Sequence, residues 1–167
     1  GKYAHQTGVS LLFTPFNDTR NETLAEKLKE EGFSTALIGK AHFNSFIWWS
    51  LYDGKLPKFG FDTLVDGSEH RQWLEKNPPA PLPAEIRTFD DPSDLPEHIR
   101  RMNAETLPQP IDDAHSQGTF LANAAIDFMQ QNRDGRFMVW LAFHEPHAPF
   151  NFPVEYAGKY RAEEMTL

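Results

Sequence analysis

The chain has 167 residues, with 24 Asp and Glu against 16 Lys and Arg, a net charge of −8 and no cysteine. That length allows one domain with a buried core. The acidic balance argues against a nucleic-acid partner, the missing cysteine excludes disulfides and thiolate metal sites in these residues, and no apolar run is long enough to span a bilayer.

In chain order, "GKYAHQTGVS" reads as loop. "NETLAEKLKEEGF" reads as a helix: Thr23 and Glu26 have capping-box spacing, Leu24 and Leu28 share a face, and Gly32 is a C-terminal stop. "STALIGK" follows as a short apolar strand of the kind buried on both faces. Helix, glycine, apolar strand is half of an α/β repeat. Residues 45–112 are aromatic at first and then dense in proline, and read as a long surface excursion with little regular structure. Order returns at "SQGTFLANAAIDFMQQNRDG", a helix with Leu121, Ala124, Ala125 and Phe128 on one face, Ser116 or Thr119 as cap, and a stop at Asp134-Gly135. "RFMVWLAF" is a second buried strand, and "HEPHAPF" comes directly after it.

Both strands therefore end in cationic or titratable groups. In open α/β sheets, ligands bind beyond the carboxyl ends of parallel strands. Lys40 and His42 stand at i and i+2, so on an extended chain they face one way and suit a shared anion. A lone lysine at a strand end would more often be a solvated one. His144 and His147 do not form a known zinc pattern with any third ligand, and Pro146 biases Glu145 towards extended backbone, so the two rings need not point together. Asp112, Asp113 and His115 precede the second helix, and they read as a helix N-terminus whose acidic residues interact with the macrodipole rather than as a catalytic dyad. Trp48 and Trp49 suit a core or a substrate mouth equally.

The segments "GKYAHQTGV", "TLAEKLKEEGFSTALIGKAHF", "GFD", "FLANAAIDFM" and "FMVWLAFHEPHAPF" stand in an order that resembles the sulfatase family of the alkaline-phosphatase-like superfamily. The most specific pieces are Gly39-Lys40-Ala41-His42 and Pro146-His147-Ala148-Pro149. The resemblance implies an α/β fold, part of an alkaline-phosphatase-like sandwich, with helices packed on a mainly parallel sheet plus a long irregular excursion. It implies one partial catalytic domain over residues 1–167, with 45–112 as a variable, loop-rich insertion.

The implied activity is sulfuric ester hydrolysis that depends on Ca2+ or Mg2+ and on a formylglycine made from a C/S-x-P-S-R motif. By this reading the nucleophile and the metal ligands lie outside the chain, which is then an internal segment, inactive alone. Lys40 matches the lysine on the sulfate oxygens, His42 the histidine beside the formylglycine hydrate, and His147 the histidine at the sulfate or leaving oxygen. His144 supports them from behind. Asn44, Trp48 and Trp49 are candidates for substrate contact, and no metal ligand is assigned.

The implied partner is a sulfated small molecule or sugar, with neither nucleic acid nor membrane. The remaining segments of the same sulfatase, or another copy of the chain, complete the site. A periplasmic or secreted location follows from the family. The alternatives are a phosphodiesterase or phosphonate monoester hydrolase of the same superfamily, or a non-enzymatic anion-binding fragment. One geometric expectation goes with this reading. If "ALIGK" and "RFMVWLAF" are parallel neighbours, their carboxyl ends share an edge, and Leu37, Ile38, Val139 and Leu141 are less covered than in a complete domain.

Overall fold

The computed structural model describes residues 2–9, 16, 21–40, 58–82, 108–147 and 150–166. These group into two units, Gly1–Gln72 with Leu121–Phe143, and Trp73–Phe120 with His144–Leu167.

The first unit opens with a correction. Ala4–Thr7 form one helical turn, α1, where a loop was expected. The Gln6 carboxamide accepts the Tyr3 N–H at 2.9 Å, and Thr7 Oγ1 donates to the Ala4 carbonyl at 3.0 Å. A single turn is too short to show a 3.6-residue period. Helix α2 (Leu24–Glu30) has the expected capping box: Thr23 Oγ1 accepts from Glu26 N at 3.1 Å, and Glu26 Oε2 accepts from Thr23 N at 2.7 Å. It ends as expected, with Gly32 N–H on the Lys29 carbonyl and Phe33 N–H on the Leu28 carbonyl. Its buried face differs from the sequence pattern, since Ala25 is 2% exposed and Leu24 is 61% exposed. The small side chain is the one that lets the helix backbone approach the sheet.

Strand β1 (Ser34–Gly39) is the centre of a three-stranded parallel sheet, between β2 (Thr63–Val65) and β3 (Phe137–Ala142). The register runs from Ser34 opposite Phe137 to Gly39 opposite Ala142, and from Ala36 opposite Thr63 to Ile38 opposite Val65. Leu37 packs with Ala25, Phe59 and Phe61, so α2 covers that face. Phe128 meets Phe137 edge-to-face, ring centroids 6.2 Å apart. Alternation along β3 therefore puts helix α4 (Gln117–Gln131), which buries Leu121, Ala125 and Phe128, on the opposite face. Ser116 is the cap of that helix, its Oγ accepting from Thr119 N at 3.1 Å. The result is an α/β layering with helices on both faces of a parallel sheet, as the sequence implied.

Two expectations about burial need correction. Leu37 and Ile38 are fully buried, not thinly covered. β3 is not a buried strand throughout: Trp140 is 53% and Leu141 37% exposed. β3 has only β1 beside it among the described residues, so the side chains at its end lack a second strand to shield them.

The excursion at 45–112 also needs correction. Its described parts are 58–82 and 108–112, and the first contains β2 and helix α3 (Gly67–Lys76). Asp66 Oδ1 accepts from Ser68 N at 2.6 Å, while the Glu69 carboxylate accepts from Asp66 N at 2.5 Å. This Asp-x-x-Glu spacing is the pattern of a helix start. Burial pushes the Glu69 carboxyl upwards, aided by the neighbouring Asp66 carboxylate and opposed by the hydrogen bond from the Asp66 N–H. The "GFD" stretch seats β2. A Cβ on Gly60, whose φ is +88°, would lie 2.2 Å from Glu26 N, so only glycine fits against α2. Asp62 N–H donates to the Thr35 carbonyl at 2.9 Å, and Asp62 Oδ2 accepts from Thr35 N at 3.2 Å. Lys29 pairs with the same carboxylate and, with Thr35, holds it below the ordinary aspartate value.

In the second unit, Pro108 bridges Phe152, and Gln109 N–H donates to the Phe152 carbonyl at 2.7 Å. Val154 N–H donates to the Ile111 carbonyl at 3.0 Å, and Asp113 N–H to Glu155 Oε1 at 2.6 Å. The segment after Pro108 is thus tied to the one after Phe152.

Candidate functional site

Parallel pairing puts the carboxyl ends of β1, β2 and β3 on one edge. Lys40 is the first residue beyond β1 and is half-buried. Its backbone N–H donates to the Ala142 carbonyl at 2.7 Å, so the ladder continues one residue past the strand. Asp66 is the first residue beyond β2, a buried carboxylate that the sequence reading passed over. Its hydrogen bonds to Ser68 give it a structural use at the start of α3.

His42, Asn44, Trp48 and Trp49 lie outside the described residues. Residues 143–147, directly after β3, are described, and there the structure brings two imidazoles together. His144-Glu145-Pro146-His147 form a turn with a cis Glu145–Pro146 peptide, closed by His147 N–H on the His144 carbonyl at 3.1 Å. The rings of His144 and His147 meet edge-to-face, centroids 4.9 Å apart. The sequence leaves open whether the two rings point together, and the closed turn brings them into contact. His147 is the more exposed of the two, with His144 half-buried behind it.

Asp112 caps the short 3-10 turn Asp113–His115, its carboxylate accepting from His115 N at 2.9 Å and meeting His115 Nδ1 at 2.6 Å. The imidazole holds the Asp112 carboxyl below the ordinary range. Trp73 packs on the His115 ring, centroids 5.6 Å apart, and on Phe120 at 5.7 Å. The reading of this group as a helix-start feature agrees with the capping geometry.

No group of three or more His, Cys, Asp or Glu side chains that could hold a metal ion gathers among the described residues. The sequence contains no C/S-x-P-S-R stretch. The described residues therefore do not fit either the divalent cation or the formylglycine that the resemblance implies, and no chemical step is assigned to those groups here. Nor is any helix among the described residues long and apolar enough to cross a membrane.

The sequence matches the family described as Sulfatase over residues 1–167. A curated relative in Escherichia coli (strain K12), named "Uncharacterized sulfatase YidJ", is 26% identical over 140 residues. That alignment covers 83% of this chain and 25% of the relative, so the chain spans about a quarter of the relative's length.

Proposed function

The chain belongs to the sulfatase family, and from that premise we propose that it is one portion of a longer sulfuric ester hydrolase, to which it supplies sulfate-binding and proton-donating side chains. The observation that carries this reading is Lys40 at the carboxyl edge of a parallel sheet, within a chain matched to the family from end to end.

A sulfate ester is an anion whose leaving oxygen gains negative charge as the S–O bond breaks. The Lys40 ammonium, aimed at the sulfate oxygens, stabilises that charge, and more strongly where water is excluded. His147, exposed at the tip of its turn, gives a proton to the leaving oxygen, and His144 packs behind the ring and fixes its direction. His42 acts beside the nucleophile, and Asn44, Trp48 and Trp49 contact the organic part of the substrate. The family's metal ion and formylglycine come from outside residues 1–167. The substrate is a sulfated small molecule or sugar, and the location is periplasmic or secreted.

A substrate panel tests the assignment. The complete polypeptide containing residues 1–167 is assayed with an aryl sulfate, an aryl phosphodiester and an aryl phosphonate monoester. The sulfate should give the highest kcat/KM. A higher kcat/KM for the phosphonate or the phosphodiester would move the protein to phosphoryl or phosphonyl chemistry, and binding of sulfate without turnover of any ester would make it an anion-binding module.

A further inference from the structure

The end of β1 is closer to β3 than two residues with side chains would permit. Gly39 has φ +101°, in the left-handed half of conformational space. A Cβ built there would lie 2.0 Å from the Ala142 carbonyl oxygen and 2.9 Å from its carbon, with Leu121 Cδ1 at 3.3 Å. Backbone is a poor yielding partner, and Leu121 is a fully buried side chain of α4, so neither neighbour can move aside cheaply. The same Ala142 oxygen that occupies this space accepts the Lys40 N–H at 2.7 Å. One carbonyl thus fills the room of the missing side chain and pins the next residue.

We infer that Gly39 is a positioning residue, whose absent side chain lets the Ala142 carbonyl clamp the Lys40 backbone and so fixes where the Lys40 ammonium is presented. The inference rests on the proposed sulfate role of Lys40. A preorganised charge is effective only while it is held in place, and a misplacement of about 1 Å costs on the order of 10²-fold in rate. The clamp does this at a strand end, where otherwise the ladder would fray.

The test is a coupling measurement in the complete polypeptide, read as kcat/KM for 4-nitrophenyl sulfate. Gly39→Ala should lower it on the order of 10²-fold, and the double variant Gly39→Ala with Lys40→Ala should be no worse than Lys40→Ala alone. A second variant covers the case in which Gly39→Ala does not fold. The α-hydroxy analogue of lysine at position 40, introduced by nonsense suppression, turns the amide into an ester. This deletes the clamping N–H and keeps the ammonium. It should cost on the order of tenfold, the scale of one hydrogen bond. The same ester made without the ammonium, by placing lactic acid at position 40, should cost nothing beyond Lys40→Ala. A damaging Lys40→Ala with a silent ester would overturn the inference alone, as would ester losses of equal size with and without the ammonium. A silent Lys40→Ala would remove the sulfate role of Lys40, and this inference with it.

Discussion

Asp62 shows how a residue quoted for its place in a motif acquires a physical role. Its carboxylate pairs with Lys29 and accepts from the N–H of Thr35, a fully buried residue of β1. Lys29, ahead of the Thr35 hydrogen bonds, lowers this carboxyl from the ordinary 3.8. The folded chain therefore binds this proton more weakly than the unfolded chain. The stabilisation is fully present above the ordinary value and is lost as pH falls through the lowered one. Asp62→Asn should flatten the acid limb of stability below about pH 4, read by urea titration across that range; an unchanged acid limb would remove Asp62 from the pH dependence. Among the histidines, the turn geometry puts His147 outermost and His144 behind it. In the complete polypeptide, His147→Ala should lose about 10²–10⁴ in kcat, the scale of a general acid, and His144→Ala much less. The reverse ranking in aryl sulfate kinetics would exchange the two roles.

At the scale of elements, the sheet is placed by close backbone approach as much as by side-chain burial. Gly60 touches the α2 backbone, and Phe61 follows it into the core beside Leu37. Gly60→Ala should destabilise the fold by about 3 kcal/mol, the upper end of overpacking in a core, seen as a lower urea midpoint; a loss within about 0.5 kcal/mol, the scatter of surface substitutions, would show that the contact relaxes. α2, β1, α4 and β3 were legible because each carries several agreeing signals: capping residues, helical period, glycine stop and apolar run. The place of Lys40 just past β1 followed from those, and the parallel pairing of β1 with β3 meets the condition set on the two apolar runs. β2 and α3 were passed over because a three-residue strand shows no period, and proline-rich neighbours masked the Asp66–Glu69 cap. The exposed end of β3 was not legible, since an apolar run reads the same whether or not another element covers it. The pairing of His144 with His147 depends on how a turn closes, which residue spacing does not fix.

At the scale of the whole molecule, family membership and partial coverage point the same way. The match runs over residues 1–167, while the alignment to the Escherichia coli relative covers 25% of that protein. Residues 1–167 alone should show no aryl sulfate turnover, with or without added Ca2+ or Mg2+, because the proposed nucleophile lies elsewhere; sustained turnover by this chain alone would contradict the division of labour. In the proposed function, Lys40 stabilises charge on a sulfate ester. This role is tested most directly by sulfate release from 4-nitrophenyl sulfate by the complete polypeptide, compared with its Lys40→Ala variant. The expected result is a fall in kcat on the order of 10²–10³-fold, the scale of removing one preorganised charge-stabilising donor, with melting temperature unchanged. An undiminished kcat in the variant would contradict it and leave Lys40 as a solvated lysine at a strand end.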